Sequence, residues 1–129
     1  MKLFLLDAGG AGLVFVALII FIIIAITTEA ITMLLMKYNR AGKAFLDSFV
    51  ANMASLVAGF ILSSVAGTVF DITPSIILNW LILYVLTVLV EFVVLYFLNR
   101  TSTPRKTFIA SAVMNFVSYI ILYFFVGGG

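Results

Sequence analysis

Glu29 and Glu91 stand where a carboxylate is expensive, each inside a long run of Ile, Leu, Val and Phe. Each is followed, fourteen and fifteen residues later, by a lysine that opens the same pattern: KAFLDSFVANMASL from Lys43 to Leu56, and KTFIASAVMNFVSY from Lys106 to Tyr119. The two stretches align without a gap, with Lys43/Lys106, Phe45/Phe108, Ser48/Ser111, Val50/Val113, Asn52/Asn115 and Ser55/Ser118 as identical pairs. Phe and Val matches come easily in so apolar a chain, but Lys, Asn and two Ser in register behind a Glu do not.

An ionised carboxylate facing lipid costs at least ~2.5–3.5 kcal/mol on insertion scales, so both Glu are expected to point into a bundle or an oligomeric interface. Their depth matches. Glu29 and Glu91 each precede the inner ends of their helices, Met36 and Leu98, by seven residues, and Asn52 and Asn115 lie about as far into the helices that follow. At 1.5 Å per residue all four sit roughly 10 Å below one interface. The hydroxyls of Thr28, Ser48, Ser55, Thr87, Ser111 and Ser118 fall within about a turn of that level. Paired acids with amide and hydroxyl neighbours and no basic partner suit a proton or a small cation. The other reading is packing: such groups hydrogen-bond between membrane helices at about 0.6 kcal/mol each and fix register without any activity.

Four helices must position this layer. The first is expected from Gly12 to Met36, after a short amphiphilic lead over residues 1–11 that ends in a glycine-rich break. Its apolar run is too long for a cleavable leader, so it should stay. Gly42 is the expected turn residue, followed by a helix from Lys43 to Ala66 with Asp47 in its first turn, where a carboxylate suits the helix dipole. In that helix Ser48, Asn52, Ser55, Gly59 and Ser63 form one small, polar stripe, expected to be a close-packing face. Residues 67–72 make the central connection, and Thr73-Pro74 and Thr103-Pro104 both read as helix starts, with Thr as N-cap and Pro in the first turn. The third helix should end near Leu98, with Tyr84, Thr87 and Glu91 on one face, and the fourth near Val126. The expected fold is an all-α integral membrane protein of a single domain, four transmembrane helices in two tandem hairpins of the same orientation, 12–66 and 73–126.

Composition supports a membrane class. Hydrophobic residues make up 65% of the 129 and charged ones 9%, against roughly 45–50% and 25% in soluble domains. Cys and His are absent, which removes disulfides, thiol chemistry and the common zinc sites. No nucleophile stands with a base, no glycine-rich phosphate loop is present and no basic face tracks nucleic acid, so neither an enzyme, a metal, a cofactor nor a nucleic-acid partner is expected. Six of the seven basic residues, Lys37, Arg40, Lys43, Arg100, Arg105 and Lys106, fall in or beside the first and third connections, leaving Lys2 at the other end. By the positive-inside rule those connections are cytoplasmic and both termini external, in a bacterial or archaeal cytoplasmic membrane. Tyr38 and Tyr96, and at the opposite end Trp80, Tyr119 and Tyr123, are expected in interfacial belts. The expected partners are the lipid bilayer and either further copies of the chain or a larger membrane complex. Function reads as ion- or proton-linked transport through the Glu/Asn layer, or alternatively as an accessory or scaffold subunit whose layer serves packing.

Overall fold

The computed structural model describes residues 2–66 and 76–127, apart from the side chains of residues 2–9, 63, 65, 66, 76, 126 and 127. The described chain is helical except at two tight connections: α1 spans Lys2–Leu35, α2 Ala41–Ala66, α3 Ile76–Leu98 and α4 Pro104–Gly127. The central connection expected over residues 67–72 and the Thr73-Pro74 start lie outside the described residues. All four helices are long and apolar enough to cross a membrane, over Gly10–Leu35, Ala41–Leu62, Ile77–Leu98 and Pro104–Phe125. Where no water is available to bond backbone groups, a helix that satisfies them internally is the available spanning form.

The same constraint explains the first departure from expectation. Residues 2–11 belong to α1 and do not form a separate lead or a break. Glycine inside a helix costs only about 1 kcal/mol relative to alanine, less than the several kcal/mol of an unsatisfied peptide group in hydrocarbon. Gly42 likewise lies within the first turn of α2 and is not the turn residue. The reversal comes earlier, at Lys37, whose φ is 53°. Its N–H bonds the Leu34 carbonyl at 3.0 Å and the Tyr38 N–H reaches back to the Met33 carbonyl at 2.9 Å, the paired bonds of a Schellman cap that normally takes glycine at this position. Tyr38 and Met33 then meet in the buried core, the apolar contact that accompanies such caps. Because α2 begins at Ala41, Asp47 falls in its second turn, away from the helix start. The Thr103-Pro104 start is realised: Thr103 Oγ1 accepts from the Lys106 N–H at 3.3 Å, and its carbonyl accepts from the Thr107 N–H.

The helices form a ring in chain order, α1 against α2 and α4, and α3 against α2 and α4. Among the described residues neither diagonal pair comes within contact. The surface is inverted relative to a soluble bundle. Leu13 is 74% exposed and Ile77 82%, while Glu29, Asp47, Ser48, Glu91, Ser111 and Asn115 are buried. In the half nearer the connections, Ala30, Met33, Tyr38, Ala44, Leu95, Ala110 and Met114 make a closed core, where the three alanines allow backbones to approach. Toward the other end the helices part. A Cβ added at Gly59 would meet nothing within 4 Å, so the α2 stripe is not a close-packing face there. A cavity lined by Gly59, Ser55, Leu83 and Thr87 separates α2 from α3 instead.

Candidate functional site: a buried carboxyl layer

Each Glu is held by the asparagine of the following helix. Asn52 Nδ2 donates to Glu29 Oε2 at 2.5 Å and to the Ser48 carbonyl at 2.9 Å. Asn115 Nδ2 donates to Glu91 Oε2 at 2.6 Å and to the Ser111 carbonyl at 2.9 Å. The logic is the same in both. One N–H is spent on the carbonyl four residues back in the asparagine's own helix, which fixes the side chain and aims the other N–H across the interface at the carboxyl. The serines follow suit: Ser48 Oγ stands 3.1 Å from the Ile26 carbonyl and Ser111 Oγ 2.8 Å from that of Val88, each three residues before its Glu. Ser48 Oγ is also 2.9 Å from Glu29 Oε2, and its single proton serves one acceptor or is shared.

The hairpins are joined at this level as well. Ser55 of α2 donates to Glu91 Oε1 of α3 at 3.1 Å. Both carboxyls, with Asn52, Asn115, Ser55, Ser118 and Thr87, line one cavity of about 250 Å3, room for several waters at about 30 Å3 each. Its remaining wall is Phe21, Ile22, Ala25, Leu56, Tyr119 and Leu122. Every lining residue lies at the carboxyl level or on the side away from the basic connections. On the connection side Met33, Leu95 and Met114 are fully buried and fill the bundle. The layer is thus the floor of a cavity that rises through the looser half. Asn115 Oδ1 is buried with no hydrogen-bond partner.

Of the residues expected in the layer, Glu29, Glu91, Asn52, Asn115, Ser55, Ser118 and Thr87 meet at the cavity, with Ser48 bonded to Glu29 from behind. Ser111 serves the Val88 carbonyl and touches no carboxyl. Thr28 does not line the cavity; its carbonyl accepts from Thr32 Oγ1 at 2.8 Å. Tyr119, expected in an interfacial belt, is instead a wall of the site, its OH 3.1 Å from Thr87 Oγ1 and its ring edge-on to Trp80 and Tyr84. The shared face of Tyr84, Thr87 and Glu91 is as the spacing indicates, with Tyr84 OH on the Ala112 carbonyl at 2.7 Å.

A second polar cluster, at the connections, escaped the sequence. Asp47 is 1% exposed and accepts from Asn99 Nδ2 at 2.8 Å, from Asn39 Nδ2 and from Lys43 Nζ at 3.0 Å. Asn99 spends its other N–H on the Leu95 carbonyl, the device used by Asn52 and Asn115. On the opposite seam Tyr38, also expected in a belt, is buried and donates to Thr107 Oγ1 at 3.0 Å, with Lys106 Nζ 5.9 Å from the centre of its ring. Lys43 at four residues before Asp47 was the available signal, since that spacing puts the two on one face.

Among the described residues no three His, Cys, Asp or Glu side chains gather to hold a metal, and the one ion pair is Lys43–Asp47. Among the described residues no Lys or Arg pairs with Glu29 or Glu91. Compared with models of protein families, with curated proteins and with solved structures, the chain matches none of them.

Proposed function

We propose that this chain is a component of an ion- or proton-linked transport path whose binding element is the Glu29/Glu91 layer. The observation that carries the reading is that two buried carboxyls line one cavity with two amides, four hydroxyls and, among the described residues, no cation. An all-oxygen set of this kind takes a proton or a hard, small cation. In this reading the chain is a duplicated hairpin, the two units lying in the same orientation with their basic connections cytoplasmic and both termini external. The equivalent bonds Asn52–Glu29 and Asn115–Glu91, and Ser48–Ile26 and Ser111–Val88, support the duplication. Four helices enclose little volume, so a conduction path completed between copies of the chain fits best.

A second reading has its own support. Both carboxyls already accept two donors each from the bundle, Ser48 and Asn52 for one, Ser55 and Asn115 for the other. That suits a packing lock in an accessory or scaffold subunit of a larger membrane complex.

The double variant Glu29→Gln/Glu91→Gln separates the two, since Gln keeps size and hydrogen-bonding capacity but carries no titratable proton. In liposomes loaded with a pH-sensitive dye and exposed to a sodium or potassium gradient, the native chain is expected to carry flux and the double variant none, with unchanged insertion and assembly. A silent native chain, or flux undiminished in the variant, sinks the transport reading. Recovery at fixed stoichiometry with a larger membrane protein then establishes the accessory role.

A further inference from the structure

The basic connections do more than set a charge bias. Between the α1–α2 turn and the inner end of α3 lies a cavity of about 870 Å3 whose lining includes Lys37, Arg40, Lys43 and Arg100, with Leu34 and Phe97 as apolar wall. Lys43 is committed to Asp47, and that is the one ion pair among the described residues. Lys37, Arg40 and Arg100 therefore converge without a carboxylate to balance them. Arg100 is held in place over the Phe97 ring, 5.8 Å from its centre, so its charge is kept at the cavity wall. Lys37 is the more telling residue. It occupies the left-handed position of the α1 cap, φ 53°, where glycine would be free of strain. The chain accepts an unfavourable backbone conformation and obtains a cation in the cavity.

We propose that this cavity binds a phosphate ester anion, the chemistry shared by an anionic phospholipid headgroup and by a soluble phosphate. Two guanidinium forks and an ammonium supply the donors that phosphate oxygens take. The cavity sits at the ends of the spans, the level of headgroups, and basic pockets between helix ends are where anionic headgroups are held. The smaller cavity on the other seam, lined by Met36, Tyr38, Thr103, Arg105, Lys106 and Ile109, has its Lys106 over the Tyr38 ring and serves as the internal control.

The full chain in dodecyl maltoside is mixed with dioleoyl phosphatidylglycerol or dioleoyl phosphatidylcholine and bound lipid is counted by native mass spectrometry. In a parallel arm inorganic phosphate is titrated calorimetrically. Phosphatidylglycerol is expected to be retained about tenfold better than phosphatidylcholine, and Lys37→Gly/Arg40→Gln/Arg100→Gln to abolish that preference. The control Arg105→Gln/Lys106→Gln should keep the preference within about twofold. Lys37→Gly alone relieves the positive φ, so it folds at least as well as the native chain and should still weaken retention by about threefold. Phosphate binding lost in the same triple variant, without lipid preference, assigns the site to a soluble phosphate; lipid preference without phosphate binding assigns it to the headgroup. Equal retention of the two lipids with no phosphate binding, or loss in the control as large as in the triple variant, overturns the proposal.

Discussion

Asp47 ties the two connections together, and its share of stability can be worked out from its partners. Three groups donate to it, and they are unequal. Lys43 has a side chain 45% exposed, so its pair with Asp47 is screened and belongs with surface pairs at ~0.2–1 kcal/mol. Asn39 is partly buried. The Asn99 bond is buried, 2.8 Å long and made to a charged acceptor, a class that contributes ~1.5–3 kcal/mol in soluble proteins. Double-mutant cycles in a membrane protein average about 0.6 and reach about 1.7 kcal/mol, because the unfolded helices also find partners. The Asp47–Asn99 coupling should therefore lie near the top of the membrane range, at ~1.5 kcal/mol, and the Lys43–Asp47 coupling near ~0.5 kcal/mol. The cycle uses Asp47→Ala, Asn99→Ala and Lys43→Ala, singly and in pairs. Unfolding is driven by adding dodecyl sulfate to maltoside micelles and followed through Trp80, the single tryptophan, whose ring packs on Tyr119 at 5.9 Å. An Asp47–Asn99 coupling below about 0.5 kcal/mol, or one smaller than the Lys43 coupling, refutes the ranking by burial.

Two further outcomes are expected. Asn115→Leu removes the donor to Glu91 and should lower stability in the same assay by ~1–3 kcal/mol; Asn52→Leu, at a less buried position, should cost less than Asn115→Leu, and the reverse order would contradict the burial difference. A reporter active only in the cytoplasm should be silent when fused after Gly129 and active when inserted before Ala41, and the opposite pattern would reverse the orientation and place the cavity floor near the external face.

The carboxyl layer was legible in the sequence because it depends on depth and helical period alone. Glu29 and Glu91 stand seven residues before Met36 and Leu98, Asn52 and Asn115 nine after Lys43 and Lys106, and a 1.5 Å rise converts those counts into similar heights. The features that were not legible depend on how helices lean. Nothing in the types of Ser55, Gly59 or Thr87 says that α2 and α3 part above the layer, and a small-residue stripe is equally at home in a close contact or beside a cavity. Tyr38 and Tyr119 depart from the belt expectation for a related reason: an aromatic near a span end reads as a belt residue, but only packing tells whether its hydroxyl meets lipid headgroups or Thr107 and Thr87. Asp47 was hidden by a helix start misplaced by two residues, itself caused by a left-handed lysine where glycine was expected. Asn99 lies just past the expected end of the third helix at Leu98, yet it uses its amide as Asn52 and Asn115 do.

The duplicated-hairpin reading also accounts for where the halves stop resembling each other. At the layer they are nearly interchangeable, each Glu meeting an Asn aimed by its own helix. At the connections they are complementary. Asp47 of α2 aligns with Ala110 of α4, and Thr107 of α4 aligns with Ala44 of α2. As a result the α2–α3 seam is locked by Asp47 and Asn99, and the α1–α4 seam by Tyr38 and Thr107. Two identical hairpins would close as readily on a hairpin of another chain as on each other. With unlike locks, two copies of the first hairpin place Lys37, which stands eight residues after Glu29 as Asn99 stands eight after Glu91, where Asp47 meets Asn99, so the buried Asn99 bond is lost and only Asn39 and Lys43 of its own hairpin still donate to Asp47. That mismatch disfavours self-pairing of hairpins by the loss of the buried Asp47–Asn99 bond. In the duplicated-hairpin reading, divergence at the seams therefore specifies that the two halves close on each other around their shared Glu/Asn layer.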